Sequence, residues 1–281
     1  MTDEPELADD QRGDEIEMDY ADRRFARLER TNRHLVKKSE DYEVLNSVFD
    51  MPTLMTITKL INNGVIASVI SHFGSGKESK VFVATAPDGS LLALKIYLTG
   101  NAEFKKRRQY LQGDRRFSET KKGMRNLVSI WAHKELKNLR VAYESGVSVP
   151  KPVLAKRNML LMQFIGDAEG NAAPILANSQ NVSSADYQQI IEQVRLLYQK
   201  AGLVHADLSE YNIFKTYGGE IVLFDFGSAV DVQHPNSKHF LVRDIMNINS
   251  FFEKRAIDVL DIAAAKQKIS GLEEPDGKNH L

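Results

Sequence analysis

With 281 residues, 42% hydrophobic and 27% charged, the chain lies near the averages of soluble globular proteins and can hold one large domain or two modest ones, which excludes a fibrous or wholly disordered class. Its 37 Lys and Arg against 38 Asp and Glu give a formal net charge of -1, which excludes a coat for nucleic acid over the whole surface and leaves local basic patches open. No cysteine is present, so disulfides and thiolate chemistry are excluded; no apolar run approaches the ~20 residues of a membrane span, and an acidic amino terminus completes the expectation of a cytoplasmic protein.

Residues 1–19, dominated by Asp and Glu, are expected to form an acidic disordered tail. An N-terminal helical extension is expected over 20–64. Its first part is a charged arm with sparse Phe25, Leu28, Leu35, Tyr42 and Leu45, and its second is a helix at 53–63 with Leu54, Ile57, Leu60 and Ile61 on one face. Runs rich in Val, Ile and Leu at 65–73, 80–86 and 90–97 predict an antiparallel meander, the last two joined by Pro87-Asp88-Gly89. The basic stretch 98–122, with Lys105-Lys106-Arg107-Arg108 and Arg115-Arg116, predicts a long loop. It is read as solvated, as a binder of RNA phosphates, or as an autophosphorylation site at Ser118 or Thr120.

A helix is expected over 123–144, with Leu127, Ile130, Trp131, Leu136 and Leu139 at helical spacing and Gly146 and Pro150 beyond its end. Strands at 152–156 and 159–164 lead to the hinge Ile165-Gly166. Beyond it come a helix at 184–201 capped by Ser183 or Ser184, strands at 213–215 and 221–224, and helices at 238–254 and 257–269. Strands first and helices later make an α+β order, with a sheet-built lobe at 65–165, a helical lobe at 166–270 and a tail at 271–281.

Three motifs carry chemistry. In Gly74-Ser75-Gly76-Lys77-Glu78-Ser79, glycines between two strands let backbone N–H groups approach phosphate oxygens; Ser79 replaces a third glycine, and an ordinary hairpin turn is the competing reading. Lys95 stands in the apolar strand Leu92-Ala93-Leu94-Lys95-Ile96, where a buried ammonium needs a partner. Glu135 is the candidate, with Glu144 as the alternative and a lysine reaching solvent as the bland one. The third motif is the strongest: His205-Ala206-Asp207-Leu208-Ser209-Glu210-Tyr211-Asn212 followed by Phe224-Asp225-Phe226-Gly227, which matches kinase catalytic and metal motifs in order and spacing. Asp207 would orient an incoming hydroxyl and accept its proton, Asn212 and Asp225 would give hard oxygen ligands to Mg2+, with Mn2+ as the alternative, and His205 would support the loop. No Ala-Pro-Glu follows Asp225, so the usual peptide-presenting segment is missing or replaced. Asp244, in an apolar helix, is read either as a buttress of the catalytic loop or as half of an exposed ion pair.

The glycine loop with Gly76-Lys77-Glu78, the octapeptide from His205 to Asn212, His234-Pro235 with Phe240-Leu241-Val242-Arg243-Asp244, Asn247-Ile248-Asn249 and the upstream Asp50-Met51-Pro52-Thr53-Leu54-Met55 resemble the RIO atypical serine/threonine kinases. Within them the chain is similar to the Rio-one subfamily, over about 51–253, and its short tail points to an archaeal member. The resemblance implies a compact two-lobed kinase with an antiparallel-sheet N-lobe, a truncated helical C-lobe and ATP bound against Gly74, Ser75, Gly76, Lys77, Glu78, Ser79, Val81, Lys95, Glu135, Gln163 and Ile165. It further implies autophosphorylation, ATP hydrolysis coupled to small ribosomal subunit maturation, and passage of phosphate through the aspartate at position 225. The partners so implied are the small-subunit precursor and its RNA, and a protein substrate or the kinase itself, with no membrane and no DNA. Asp225-Phe226-Gly227 and Gln163 depart from the usual family forms. A small-molecule kinase of the aminoglycoside or choline type and a non-catalytic scaffold are the competing readings. The short span 166–183 leaves little material for a small-molecule pocket, and Lys95, Asp207, Asn212 and Asp225 together disfavour the scaffold.

Overall fold

The computed structural model describes residues 50–75, 79–98 and 124–271. The acidic tail, the charged arm at 20–49, residues 76–78 of the glycine turn, the basic stretch from 99 to 123 and the tail from 272 lie outside the described residues. The chain divides into two compact units, described residues 50–70 with 84–90, and 71–83 with 91–271.

The smaller unit is built on helix α1 (Met51–Asn62), which starts where the Asp50 side chain accepts the Thr53 N–H at 3.1 Å, an N-cap that satisfies an otherwise orphaned donor. Leu54, Ile57 and Leu60 are buried on one face of it, each contributing about 1.5–3 kcal/mol by leaving water. The turn expected at Pro87-Asp88-Gly89 is present. Asp88 accepts from the Ser90 N–H and hydroxyl at 2.9 and 2.7 Å, and Gly89 takes a positive φ of 85°.

Strands β1 (Ser68–Ser75), β2 (Ser79–Thr85), β3 (Leu91–Tyr97), β4 (Pro152–Lys156) and β5 (Met159–Gln163) make one sheet in the order β1-β2-β3-β5-β4. The β3–β5 pairing is antiparallel and sets Lys95 opposite Leu160. Helix α2 (Met124–Glu144) intervenes between β3 and β4. Its buried face is Val128, Trp131, Ala132, Lys134, Glu135, Asn138, Leu139 and Ala142, whereas Leu127, Ile130 and Leu136 of the expected stripe are only half-buried. Apolar spacing alone misses that three polar side chains occupy the inner face.

Helix α3 (Ser184–Gln199) opens with a capping box between Ser183 and Asp186, which decides the cap in favour of Ser183. The short strands β6 (Leu203–Val204), β7 (Ile213–Lys215), β8 (Ile221–Leu223) and β9 (Val230–Asp231) pair as β6–β9 and β7–β8; the β6–β9 pair, two residues a side, is too short to show in sequence periodicity. Helices α4 (Ser237–Glu253) and α5 (Ile262–Ser270) complete the unit. The helix expected from residue 257 begins five residues later. The Tyr187 hydroxyl accepts the Leu260 N–H and donates to Asn249 Oδ1, both at 3.0 Å, while Asn249 Nδ2 donates to the Leu260 carbonyl at 2.7 Å, so the segment stays out of a helix until Asp261 caps α5. One hydrophobic cluster takes in Val83, Ala93, Trp131, Leu160, Ile190, Leu223, Phe226 and Phe252, so sheet and helices of the larger unit share a core. No helix among the described residues is long and apolar enough to cross a membrane.

Beyond the sheet, the Asp167 carboxylate accepts from the Asn171 N–H and side-chain amide at 2.7 and 2.8 Å, closing a small turn over Gly166. A Cβ on Gly166 would lie 2.2 Å from the Asn171 carbonyl oxygen and 2.4 Å from the Phe164 ring. Gly166→Ala is therefore expected to cost about 1–3 kcal/mol through overpacking. In a thermal melt that appears as a Tm lower by roughly 3–10 °C.

Candidate active site

Lys95 is 6% exposed, in the middle of β3. Its Nζ lies 2.9 Å from both carboxylate oxygens of Glu135 and 2.8 Å from Asp225 Oδ1, and 5.1 Å from the centroid of the Tyr97 ring. The strand lysine thus meets Glu135 rather than Glu144. Burial works against the ammonium, but Asp225 and Glu135 outweigh it and hold the Lys95 pKa above the ordinary lysine value. Burial is also the largest influence on Glu135 and pushes its carboxyl up to about 7, against the pull of Lys95.

Asp207 is exposed, while its neighbours Ala206 and Leu208 are buried. Helix α4 holds these neighbours by their backbones. Asp244, 1% exposed, accepts the Ala206 N–H at 2.8 Å and the Leu208 N–H at 3.0 Å. Arg243 donates to the Ala206 carbonyl, and Asn247 to the Leu208 carbonyl at 3.0 Å. Three residues on adjoining turns thus fix the peptide units on either side of Asp207. Ala206 has φ 63°, a conformation that costs a non-glycine residue free energy, and these bonds offset that cost. Asp244 is a buttress, not an exposed ion-pair member; Arg243 and Asn247 stand out in the sequence only as parts of a family motif, which does not say that their side chains bond the loop backbone.

His205 is buried, and its Nε2 donates to the Phe224 carbonyl at 2.9 Å. Burial lowers its pKa, so the ring is neutral with the proton on Nε2. It ties the loop from His205 to Asn212 to the residue before Asp225, as does the Phe224 N–H donating to the Asn212 carbonyl at 3.0 Å. Asn212 Nδ2 donates to the Asp207 carbonyl at 2.7 Å, which leaves its amide oxygen as the acceptor end. Asp225 takes φ 63° and ψ 63°, and its side chain is 32% exposed.

Gln163 and Ile165 border the hinge. The Gln163 side-chain oxygen accepts the Lys151 N–H at 3.2 Å, and the Gln163 N–H donates to the Lys151 carbonyl at 2.8 Å. The Ile165 carbonyl accepts the Ala173 N–H at 2.9 Å. Val81 is half-buried against the core cluster. Gly74 and Ser75 end β1 and Ser79 begins β2, while Gly76, Lys77 and Glu78 fall outside the described residues. A cleft of about 410 Å³ beside Gln163, Ile165, Thr216 and Tyr217 contains none of Lys95, Asp207, Asn212 or Asp225.

Among the described residues no three His, Asp or Glu side chains gather as a metal cage. The donors expected from the sequence are one carboxylate, Asp225, and one amide oxygen, Asn212. That set fits Mg2+, which keeps few protein ligands and completes its shell with phosphate oxygens and water. A buried lysine between two carboxylates, an exposed aspartate on a braced loop and an oxygen pair of this kind are the parts of a phosphoryl-transfer site.

Comparison with known proteins agrees. The RIO domain profile matches residues 80–265. The chain belongs to the RIO kinase family. It is 35% identical over 289 residues to the RIO-type serine/threonine-protein kinase Rio1 of Haloferax volcanii, covering 99% of both chains. It is 39% identical over 221 residues to Rio1 of Methanocaldococcus jannaschii, covering 78% of this chain and 74% of that one. With the serine/threonine-protein kinase rio1 of Schizosaccharomyces pombe it is 37% identical over 81% of this chain but only 47% of the relative. The RIO kinase thus spans nearly all of its Haloferax relative and about half of the yeast one. Two crystal structures of Rio2 kinase from Chaetomium thermophilum superpose with TM-scores of 0.58 and 0.53 at 23% and 24% identity, covering 78% and 79% of this chain and 66% and 67% of theirs. They share the kinase-like α+β fold.

Burial pushes Asp244 up to about 7 as well, against the pull of the Leu208 and Ala206 N–H groups and Arg243. A carboxyl whose pKa is raised on folding contributes stability that is fully present below its unfolded value, near 4, and is lost as pH rises through about 7. Between pH 4 and 7 the Asp244→Asn variant, which cannot titrate there, is expected to lose less unfolding free energy than the wild type. Denaturant melts across that range measure the difference; parallel slopes for the two proteins would contradict the assignment.

Proposed function

We propose that this RIO kinase transfers the γ-phosphate of Mg·ATP to serine or threonine hydroxyls, its own among them, and hydrolyses ATP during maturation of the small ribosomal subunit in the cytoplasm. The observation that carries the phosphotransferase part is the Lys95 ammonium held at 2.8–2.9 Å between Glu135 and Asp225. Lys95 would contact the α and β phosphates, and Glu135 would keep it on the strand side of the nucleotide. Asp207 would orient the acceptor hydroxyl and take its proton, and Asn212 and Asp225 would hold the metal. The chemistry supplied by Mg2+ held there would be neutralisation of the phosphate charge.

The hydrolysis rests on the short segment after Asp225. Helix α4 begins at Ser237 with no Ala-Pro-Glu segment between it and Asp225, so among the described residues no extended platform follows Asp225 to present a peptide over Asp207. Water, or the Asp225 carboxylate, is then a further acceptor beside the serine and threonine hydroxyls. In the second route a carboxylate oxygen attacks the γ-phosphorus, the bond to ADP breaks, and water later cleaves the acyl phosphate. One of the Chaetomium Rio2 structures is a complex with ADP, Mg2+ and phosphoaspartate, which supports this route. The ribosomal role is what the resemblance to the Rio-one subfamily implies, and a small-molecule substrate is disfavoured by the tight turn at Gly166, where such kinases insert a pocket.

Lys95→Ala and Asp225→Ala are each expected to lower phosphotransfer about 10²–10⁴-fold while remaining folded, whereas Asp207→Ala keeps nucleotide affinity within about threefold of wild type, because its role is at the acceptor. Steady-state kinetics with calorimetric ATP titration separates the two patterns, and wild-type turnover in both Lys95→Ala and Asp225→Ala would defeat the reading. Faster ATP consumption with added small-subunit precursor particles supports the ribosomal assignment. In single turnover with γ-labelled ATP, label released by hydroxylamine supports the aspartyl route, and label solely on hydroxylamine-resistant Ser or Thr excludes it.

A further inference from the structure

Helix α2 carries a second buried cation. Lys134, next to Glu135 in the chain, is 0% exposed, and its ammonium donates to the backbone carbonyls of Gly227, at 2.9 Å, and Ala229. One turn further on, Asn138 Nδ2 donates to the carbonyls of Phe226 at 2.9 Å and Ala229 at 3.0 Å. Glu135 accepts the Phe226 N–H. Trp131, on the same face, lies so close that a Cβ on Gly227 would stand 2.6 Å from the indole nitrogen.

The backbone explains why polar groups are spent there. Asp225 is left-handed, and a single 3-10 turn, Phe226–Ser228, follows it. Within that turn the Ala229 N–H reaches back to the Phe226 carbonyl at 3.2 Å, but so short a turn cannot supply donors for its remaining carbonyls. Residues 226–230 are all buried, so water does not supply them either, and buried carbonyls require partners. An ammonium has three donors on a long stem, enough to reach two carbonyls.

We propose that Lys134 and Asn138 are positioning residues that dock the 226–229 turn onto α2, keeping Asp225 left-handed and its carboxylate on Lys95 before nucleotide arrives. The helix bearing Glu135 and the turn bearing Asp225 then behave as one piece, and the Glu135–Lys95–Asp225 contact is assembled without an activating modification. The catalytic consequence rests on the phosphotransferase reading; the docking itself does not.

Lys134→Met fills nearly the same volume without donors, and Asn138→Leu does so more mildly should the first variant fail to fold. Tyr187→Phe is the control, since it breaks a buried hydrogen-bond network that does not touch the turn. In the full chain, Trp131 is the single tryptophan, so acrylamide quenching of its emission reports the docking directly. The clamp variants are expected to show roughly twofold or greater quenching, and kcat lowered about 10–100-fold with KM for ATP changed less than about threefold, because a displaced Asp225 fails chiefly in the transition state. Tyr187→Phe, though less stable, should alter neither. Clamp variants that keep kcat within about twofold and leave Trp131 as shielded as in wild type would overturn the proposal. If the wild type transfers no phosphate, the phosphotransferase reading fails, and quenching alone decides the clamp.

Discussion

An ammonium taken out of water survives only if negative charge and hydrogen-bond acceptors surround it, and that requirement at Lys95 organises the larger unit. The strand brings the stem of the lysine through an apolar layer, α2 brings Glu135, and the segment after β8 brings Asp225. Removing one partner of such a buried pair typically costs about 3–5 kcal/mol, because the remaining charge is stranded. A fold that accepts this cost gains a cation whose position is set by three separate elements.

The two aspartates of the site are held by different means. Asp207 is itself exposed, and its position is set through its neighbours, whose amides and carbonyls are bonded to Arg243, Asp244 and Asn247 on one helix. Asp225 stands in a left-handed conformation ahead of a one-turn helix whose carbonyls are met by Lys134 and Asn138 on another. In both cases side chains from a long helix satisfy the backbone of a short irregular segment. Strained backbone at a catalytic loop persists only under such constraint.

Much of this is legible in the sequence where a residue breaks a pattern. Lys95 interrupts an apolar strand, so its need for a carboxylate can be read directly, and Glu135 is a reachable partner on the next helix. The spacing of Asp207, Asn212 and Asp225 depends on a few residues of chain and so survives in one dimension. Asp244 stands out as a charge amid apolar residues, but which of its two readings holds depends on burial. Lys134 and Asn138 are not legible: on a helix with alternating charged and apolar residues they look like solvent-facing positions, and only the packing of the 226–229 turn shows that they face inward. The start of α5 is misplaced for a similar reason, since a network between Tyr187, Asn249 and Leu260 keeps the preceding residues out of a helix, and no local signal announces it.

The claim on which the rest depends is that Lys95 is a permanently charged group shared by Glu135 and Asp225. Isotope-edited NMR of the Lys95 side-chain nitrogen in the folded protein measures it directly. The account predicts a pKa above the ordinary lysine value, lowered in Asp225→Ala as one of its two counter-charges is removed. A Lys95 that titrates at or below the ordinary value and does not respond to Asp225→Ala would contradict it.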